Sequence, residues 1–271
     1  MNKELKSYLA GAISVFATIG VMGGATAANL EIDFEAATFT NPTTIDNEYW
    51  PHVIGESHVY AAETEDGCEV NMVMATMGIK SDFGELYDDI SALAVDDLEW
   101  LSEECDGDYV LMEKTTDWYA QDDDDNIWYL GEETEAYDDE LDCLTEEGAW
   151  EAGDDGAEAG IVVLGTPIKG LAYQQEYLED EAEDMGKVLN LDVTVELETL
   201  EMTFTDCMRT KEWTPLERGQ IEHKFYCPTG GGLMLIKELD GKTVRVEYIG
   251  DTLPAGDFPD DLPDVDACLE D

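Results

Sequence analysis

Apolar and polar residues alternate along most of the chain, with short turn-rich segments between the alternating runs. Val53–Glu63 and Cys68–Met77 alternate around one Asp-Gly pair, and Leu233–Leu239 and Lys242–Ile249 alternate around another. Alternation with period two is typical of strands that bury one face, and Asp-Gly is a favoured two-residue hairpin turn. The pattern predicts a mainly β protein, an antiparallel sheet or half-open barrel built of hairpins.

The stretch Thr115–Thr134, TTDWYAQDDDDNIWYLGEET, predicts the central hairpin of this sheet. Two aromatic-rich runs flank the acidic segment Asp122–Asn126, which has the composition of a turn. If the turn is centred on Asp124, Tyr119 lies opposite Tyr129 on the neighbouring strand. One register therefore follows from the turn alone.

Two segments depart from the strand period. Within Phe83–Leu101 the apolar residues recur at spacings of three and four, which predicts one amphipathic helix inserted into the sheet; they are Leu86, Ile90, Leu93, Ala94, Leu98 and Leu101. Tyr173–Leu189 predicts a short acidic helix that carries Glu179–Asp184. Both helices interrupt an otherwise β chain.

Six cysteines predict three disulfides. Extending the register of the central hairpin brings Cys105 opposite Cys143. A second hairpin, Met202–Trp213 with Gln220–Cys227, brings Cys207 on its first strand opposite Cys227 on its second. The predicted bridges are Cys105–Cys143, Cys207–Cys227 and, between the two cysteines that remain, Cys68–Cys268.

The N-terminal sequence predicts a secreted protein. Lys3 and Lys6 precede an apolar run, Tyr8–Met22, and the small residues Ala25-Thr26-Ala27, the pattern of a signal peptide with its cleavage site. No later segment is long and apolar enough to span a bilayer, so we expect periplasmic or extracellular localisation. The predicted organisation is a signal peptide at 1–27, a single β domain at 28–250 with its helical insertion at 83–101, and an acidic, proline-containing tail at 251–271.

Charge narrows the partners further. The formal net charge is -53, from 66 Asp and Glu against 13 Lys and Arg, so the chain repels nucleic acid and anionic lipid. Yet 44% of its residues are hydrophobic, which is too many for a disordered acidic polymer. One interpretation of the charge is a solvated surface adapted to saline surroundings. The other is that some of these carboxylates converge on divalent cations.

A partial calcium signature lies at the central hairpin. With Asp122 first, Asp124 third, Asn126 fifth and Glu133 twelfth, the charged positions of an EF-hand loop are matched, but the sixth residue is Ile127 instead of glycine. An EF-hand itself is therefore excluded. We expect instead a looser Ca²⁺ or hard-cation site that joins the hairpin tip to the acidic helix; its members are Asp122, Asp124, Asn126, Glu133, Glu179, Glu183 and Asp184.

Catalytic motifs are scarce. The chain has no GxSxG or HExxH, and its histidines are His52, His58 and His223. His223 is the better catalytic candidate, because the second hairpin sets it opposite Lys211. Besides cation binding, two alternatives stay open: a hydrolase built on His223 and nearby carboxylates, and a surface or matrix interaction protein without a metal.

Four segments resemble the motifs of an uncharacterised family of secreted bacterial proteins. They are TTDWYAQDDDDNIWYLGEETEAY, GAWEAGDDGAEAGIVV, YQQEYLEDEAEDMGKVL and TKEWTPLERGQIEHKFY, set against DWYAQDxxGNVWYFGE, EAEDM and KEWTPLEPGxxEHKYYAPGVG in the family. The resemblance covers most of Trp50–Gly250 and implies a predominantly antiparallel β protein with no established activity. The chain departs from the family in three ways. It has Asp125-Asn126 where the family has Gly-Asn, it inserts the predicted helix Phe83–Leu101, and it adds the cysteines.

Overall fold

The computed structural model describes residue 30 and residues 33–84, 86–139, 141–146, 148–239 and 243–268. The predicted signal peptide, residues 1–27, and the Asp240-Gly241 turn lie outside this part of the chain. The helical elements described are two short 3₁₀ turns, Phe34–Ala36 and Pro228–Gly230. In the described part of the chain, no helix has the length and apolar character needed to cross a membrane.

Fifteen strands make up the rest of the architecture. They are β1 Ser57–Glu63, β2 Cys68–Lys80, β3 Ala92–Ser102, β4 Val110–Gln121, β5 Ile127–Asp138, β6 Cys143–Thr145, β7 Trp150–Glu151, β8 Glu158–Val163, β9 Ala172–Gln174, β10 Glu176–Tyr177, β11 Met185–Leu197, β12 Met202–Trp213, β13 Glu222–Cys227, β14 Gly232–Glu238 and β15 Val244–Gly250. The predicted mainly β, antiparallel fold is confirmed.

The sheet curls into a nearly closed barrel. Its strand order is β10-β8-β5-β4-β3-β2-β1-β15-β14-β13-β12-β11-β9, with the short β6 and β7 beside β5. The two outermost strands, β9 and β10, follow each other in the chain with only Gln175 between them. The segment Ala172–Tyr177 therefore pairs with β11 on one side and β8 on the other. Gly160 allows this approach, because a Cβ there would lie 2.4 Å from the carbonyl of Gln175.

The hairpin registers follow the turns. Tyr119 pairs with Tyr129 across the central turn, as the sequence predicts, and the hairpin of β12 and β13 keeps its predicted register, with Glu212 opposite Glu222. Further from the central turn a bulge between Asp117 and Tyr119 shifts the pairing by one residue. A register read from a turn thus holds only up to the first bulge.

The C-terminal tail covers the outside of β1–β4. Phe258 packs edge-on against Trp100 and stacks on Tyr109, with ring centroids 5.4 and 4.2 Å apart. The indole N–H of Trp100 donates to the carbonyl of Pro259 at 2.8 Å. Because the barrel interior lies on the other side, β3 buries both of its faces.

The predicted helix at Phe83–Leu101 is wrong. Ala92–Ser102 is strand β3, and the preceding residues form turns in which Leu86 is half exposed. A strand buried on both faces does not alternate apolar and polar residues. With Leu93 facing the interior and Trp100 facing the tail, the apolar positions imitate the spacing of a helix.

The predicted acidic helix at Glu179–Asp184 is also wrong. The chain makes a tight turn there, with Leu178 bridged to Ala182 and Asp180 in the left-handed region at φ 63°. Helices do not contain such a residue in their interior. The flanking residues are held by sheet closure, since β10 pairs with β8 and β11 pairs with β12.

Three disulfides form, and one predicted bridge is confirmed. Cys207 is bonded to Cys227. The other two predictions are wrong, because the bridges are Cys68–Cys105 and Cys143–Cys268. Cys105 lies in the loop between β3 and β4, before β4 begins, so the register of the β4–β5 hairpin does not apply to it. The tail is therefore fastened to Cys143 and not to Cys68, and the oxidised cysteines indicate a non-reducing compartment.

The bridge that fastens the tail should contribute more stability than the bridge between β2 and the β3–β4 loop. Cys143–Cys268 joins residues 125 apart, against 37 for Cys68–Cys105. Loop-closure entropy then favours the longer bridge by about 1 kcal/mol. We expect the double variant Cys143→Ala, Cys268→Ala to lose that much more free energy of unfolding in urea than Cys68→Ala, Cys105→Ala. Equal losses, or a Cys105–Cys143 peptide on non-reducing mapping, would contradict this pairing.

Candidate functional site

Lys224 shows that strands from opposite sides of the barrel face one interior. It lies on β13, and its ammonium forms ion pairs with Glu212 at 2.9 Å and Glu222 at 3.6 Å. The same charge also reaches Asp97 on β3 and Asp117 on β4, where it opposes the effect of burial on their pKa values. These strands are far apart in the sheet order, so their side chains meet inside the barrel.

The interior carries many more carboxylates than this one lysine can neutralise. Alternation along each strand points these acids inward, among the threonines Thr115, Thr134 and Thr210. The interior acids are Glu69, Asp97, Glu99, Asp117, Glu132, Glu176, Asp184, Glu212 and Glu222. A buried carboxylate without a counter-charge is costly as an anion, so the cluster favours protons or cations.

Burial governs the ionisation of the interior acids. Loss of water raises the pKa of Asp117 to about 7, and the negative charge of Glu113 adds to it, while the Tyr129 hydroxyl hydrogen-bonded to Asp117 opposes the rise. Burial likewise raises the pKa of Glu69 to about 7. For Glu132 burial raises the pKa well above its usual range, helped by the charge of Glu176.

Tyrosine rings pack among these acids. Tyr119 and Tyr129 stack with centroids 4.9 Å apart, and Trp150 meets Tyr129 edge-on at 5.2 Å. Burial raises the pKa of Tyr173 and of Tyr226, so these phenols stay neutral. Aromatic faces next to carboxylates form surroundings suited to organic cations.

Water reaches the interior at the end where Lys224 lies. A fifth of the Lys224 side chain remains accessible, and 28% of the Glu222 side chain. Asp184 belongs to the same end: burial raises its pKa, the charge of Lys224 lowers it and the charge of Glu212 raises it. We call Asp184, Glu212, Glu222 and Lys224 the mouth of the barrel.

Two interior oxygens lack a hydrogen-bond donor among the described residues. They are Oδ1 of Asp97 and Oε2 of Glu132, and both atoms are buried. The Glu132 residue is only 4% exposed, so bulk water does not compensate it. Buried carboxylate oxygens are normally paired, so these two atoms are open to a proton, a water molecule or a cation.

The hairpin tip uses its predicted ligands for another purpose. Oδ1 of Asp122 accepts the backbone N–H groups of Asp124 and Asn126 at 2.9 and 2.8 Å. Its Oδ2 accepts the Asn126 amide at 2.9 Å and the Trp128 indole N–H at 2.8 Å. Asn126 Oδ1 in turn accepts the N–H of Gly165. Asp122 is thus the acceptor that shapes the turn.

The remaining predicted calcium ligands are dispersed. Glu133 and Glu179 are exposed, and Glu183 accepts the backbone N–H of Asp180. Asp184 lies in the mouth instead of facing the hairpin tip. In the described part of the chain, no group of three or more His, Cys, Asp or Glu is arranged to hold a metal ion.

His223 lies on the outside of β13 among cations. Burial lowers its pKa, and the charges of Arg209, Lys211 and Lys237 lower it further. Its position opposite Lys211 agrees with the predicted register. The surroundings supply positive charge and not the carboxylates that the hydrolase interpretation requires.

Sequence reasoning missed the interior acids other than Asp184. Their signal was a polar or tyrosine residue at every second position of a strand with a carboxylate among them, as in Thr115, Asp117 and Tyr119 on β4 or Thr210 and Glu212 on β12. In a chain with 66 Asp and Glu, such positions do not stand out. Which face of each strand is the inner one depends on closure of the sheet.

Comparison with known proteins adds no relative. The chain matches no protein-family model, no curated protein and no solved structure. The resemblance to secreted bacterial proteins stays a prediction, and the functional argument rests on the geometry of the barrel.

Replacing Asp122 should unfold the central turn. Asp122→Ala removes the acceptor of four hydrogen bonds and leaves the Trp128 indole N–H buried without a partner. We expect a loss of about 3 kcal/mol in the free energy of unfolding, because hydrogen bonds to charged groups are the strong ones. The exposed neighbour Asp124 is the control, and Asp124→Ala should change stability by less than about 0.5 kcal/mol. Equal effects of the two substitutions would show that Asp122 does not organise the turn.

Stability should fall as the pH rises from about 4 to about 7. The folded protein keeps a proton on Asp117 up to its pKa of about 7. An unfolded chain releases that proton near pH 3.9, so between these values the unfolded state binds fewer protons and is favoured by a rise in pH. Urea unfolding across this range measures the slope. Asp117→Asn should flatten it, and the exposed Glu133→Gln should not. A slope unchanged by Asp117→Asn would assign the effect to the surface charge.

Proposed function

We propose that the protein is a binding barrel that takes a small organic polycation, of the polyamine type, into its carboxylate-lined interior. The observation that carries the proposal is the excess of buried carboxylates over Lys224, with Oδ1 of Asp97 and Oε2 of Glu132 lacking donors among the described residues. Ammonium groups donate several hydrogen bonds each and bring positive charge. Such groups would therefore supply both the positive charge and the hydrogen-bond donors that the interior acids lack.

The distribution of the interior acids favours a multivalent organic cation over a single metal ion. The acids extend from Asp97 and Asp117 on one side to Glu212 and Glu222 on the other. A metal ion requires several oxygens around one point. Ammonium groups spaced along a chain reach carboxylates that are apart, and their methylene segments contact tyrosine rings such as Tyr119 and Tyr129.

Ca²⁺ binding is the second candidate, moved from the hairpin tip to the mouth, where the described carboxylates are not grouped around one point and a cation would have to draw them together. Asp184 is the predicted ligand that lies beside Glu212 and Glu222 at the water-accessible end. Asp122 is committed to the turn. On this candidate Asp184→Asn weakens Ca²⁺ binding and Asp124→Asn does not.

The oxidised cysteines and the N-terminal sequence support the proposed compartment. The three disulfides require non-reducing surroundings. Together with the signal-peptide pattern of residues 1–27, they support secretion to the periplasm or the exterior, where the barrel captures cations.

Calorimetric titration of the intact protein with spermidine tests the proposal. Binding should release protons, because a cation displaces them from acids whose pKa is raised, such as Asp117. Affinity should therefore increase from about pH 6 to 8, above the range in which unperturbed carboxylates titrate. Titrations in two buffers of different ionisation enthalpy measure the protons released.

Glu132 and Glu133 form a matched pair for this titration. They are adjacent on β5, one buried in the interior and one exposed outside. Glu132→Gln should weaken spermidine binding about ten-fold, as expected for a buried charged partner worth about 1.5 kcal/mol, while Glu133→Gln has little effect. Equal effects of the two substitutions and no proton release would show that spermidine binds only to the charged surface. Proton-linked binding of Ca²⁺ without binding of spermidine would replace the polyamine proposal by the second candidate.

A further inference from the structure

A row of basic residues crosses the outside of five neighbouring strands. Lys187 on β11 pairs with Lys211 on β12, His223 on β13 pairs with Lys237 on β14, and Lys237 pairs with Arg245 on β15. The register of β12 and β13 sets Lys211 opposite His223, which completes the row. We call these five residues the basic row.

The basic row faces away from the interior. Side chains alternate along a strand, so Lys237 points opposite to Ile236, which belongs to the main core. Lys237 lies over the ring of Phe225, and Phe225 belongs to the separate small cluster on the outer face. Lys211 covers the ring of Trp213 at 4.3 Å. The row therefore lies on a partly aromatic outer surface.

The three lysines of the row are poorly compensated, whereas Arg245 is not. Arg245 pairs with Glu247 and lies 3.8 Å from Glu198. In the described part of the chain, neither Lys187 nor Lys211 nor Lys237 has a carboxylate within 4 Å. Arg209 adds a further guanidinium two residues from Lys211, and its buried Nε has no hydrogen-bond partner there.

Such an arrangement is costly for the fold alone. Like charges directly opposite each other on neighbouring strands destabilise a sheet. The chain has 66 acidic residues with which to neutralise 13 basic ones, so unpaired lysines in a row are not a consequence of composition. An anionic ligand would supply the missing partners.

We infer that the basic row binds a short, linear acidic oligosaccharide, with its carboxylates or sulfates on successive strands. Neighbouring strands lie about 4.8 Å apart, so the basic residues recur at that spacing across the sheet and match a ligand that carries one anionic group per unit of an extended chain. The Trp213 ring beside Lys211 offers an apolar face for a sugar. The acidic surroundings limit the ligand to the length of the row. This site is separate from the interior and does not depend on the proposed polycation.

Binding of oligogalacturonate to the intact protein, measured calorimetrically at low salt, tests the inference. Its methyl-esterified form has the same backbone without charge and should not bind. Lys211→Gln with Lys237→Gln should weaken binding about ten-fold, as two exposed charge contacts of about 0.7 kcal/mol each imply. The matched control is Lys114→Gln with Lys169→Gln, which removes the same charge from exposed lysines outside the row and should leave the affinity within about two-fold.

Four outcomes would overturn the inference. Equal losses of affinity in the row variant and the control variant would show that the binding depends only on net charge. Equal binding of the methyl ester would remove the role of the carboxylates. Tighter binding of a single-stranded oligonucleotide would make the row a nucleic-acid site. Self-association that is lost in the row variant, without oligogalacturonate binding, would make a second copy of the chain the occupant. Circular dichroism of each variant verifies the fold, and spermidine binding should be the same in all of them.

Discussion

Closure of the sheet through Ala172–Tyr177 is the constraint on which the rest of the structure depends. This short segment pairs with β8 at one end and β11 at the other, and Gly160 leaves room for its bend at Gln175. A nearly closed sheet leaves little free edge and encloses an interior that its inward side chains must fill. Here many of those side chains are carboxylates. The unusual electrostatics of the interior follow directly from the closure.

The barrel separates charge into an inside and an outside. The interior collects acids around Lys224, and burial raises the pKa of groups such as Asp117, so their ionisation is coupled to folding and to any cation that enters. The outer face of β11–β15 collects basic residues, among them Lys211 and Lys237, which have no carboxylate within 4 Å in the described part of the chain. Strand alternation places these opposite charges on opposite faces of the same strands. Both proposed sites, for ligands of opposite sign, therefore lie on the two faces of one sheet.

Local signals in the sequence were sufficient for turns and for short-range pairing. The acidic turn set Tyr119 against Tyr129, and the second hairpin set Cys207 against Cys227, because a turn fixes the register of the residues close to it. The same reasoning failed at Cys105, because the pairing of β4 with β5 contains a bulge and Cys105 lies before β4 begins. Among the predicted site residues, Asp184 alone was brought into the interior cluster. At the hairpin tip, Asp122 instead stabilises its own turn.

The sequence by itself determined the β class, the hairpins, one disulfide and a strongly acidic surface, all of which depend on neighbouring residues or on composition. Only the tertiary structure decided that Phe83–Leu101 contains a strand, since both faces of β3 are covered by residues distant in the chain. It also decided which acids are buried. Whether Glu132 or Glu133 faces the interior depends on how the sheet closes, and closure is a property of long-range pairing that no local pattern encodes.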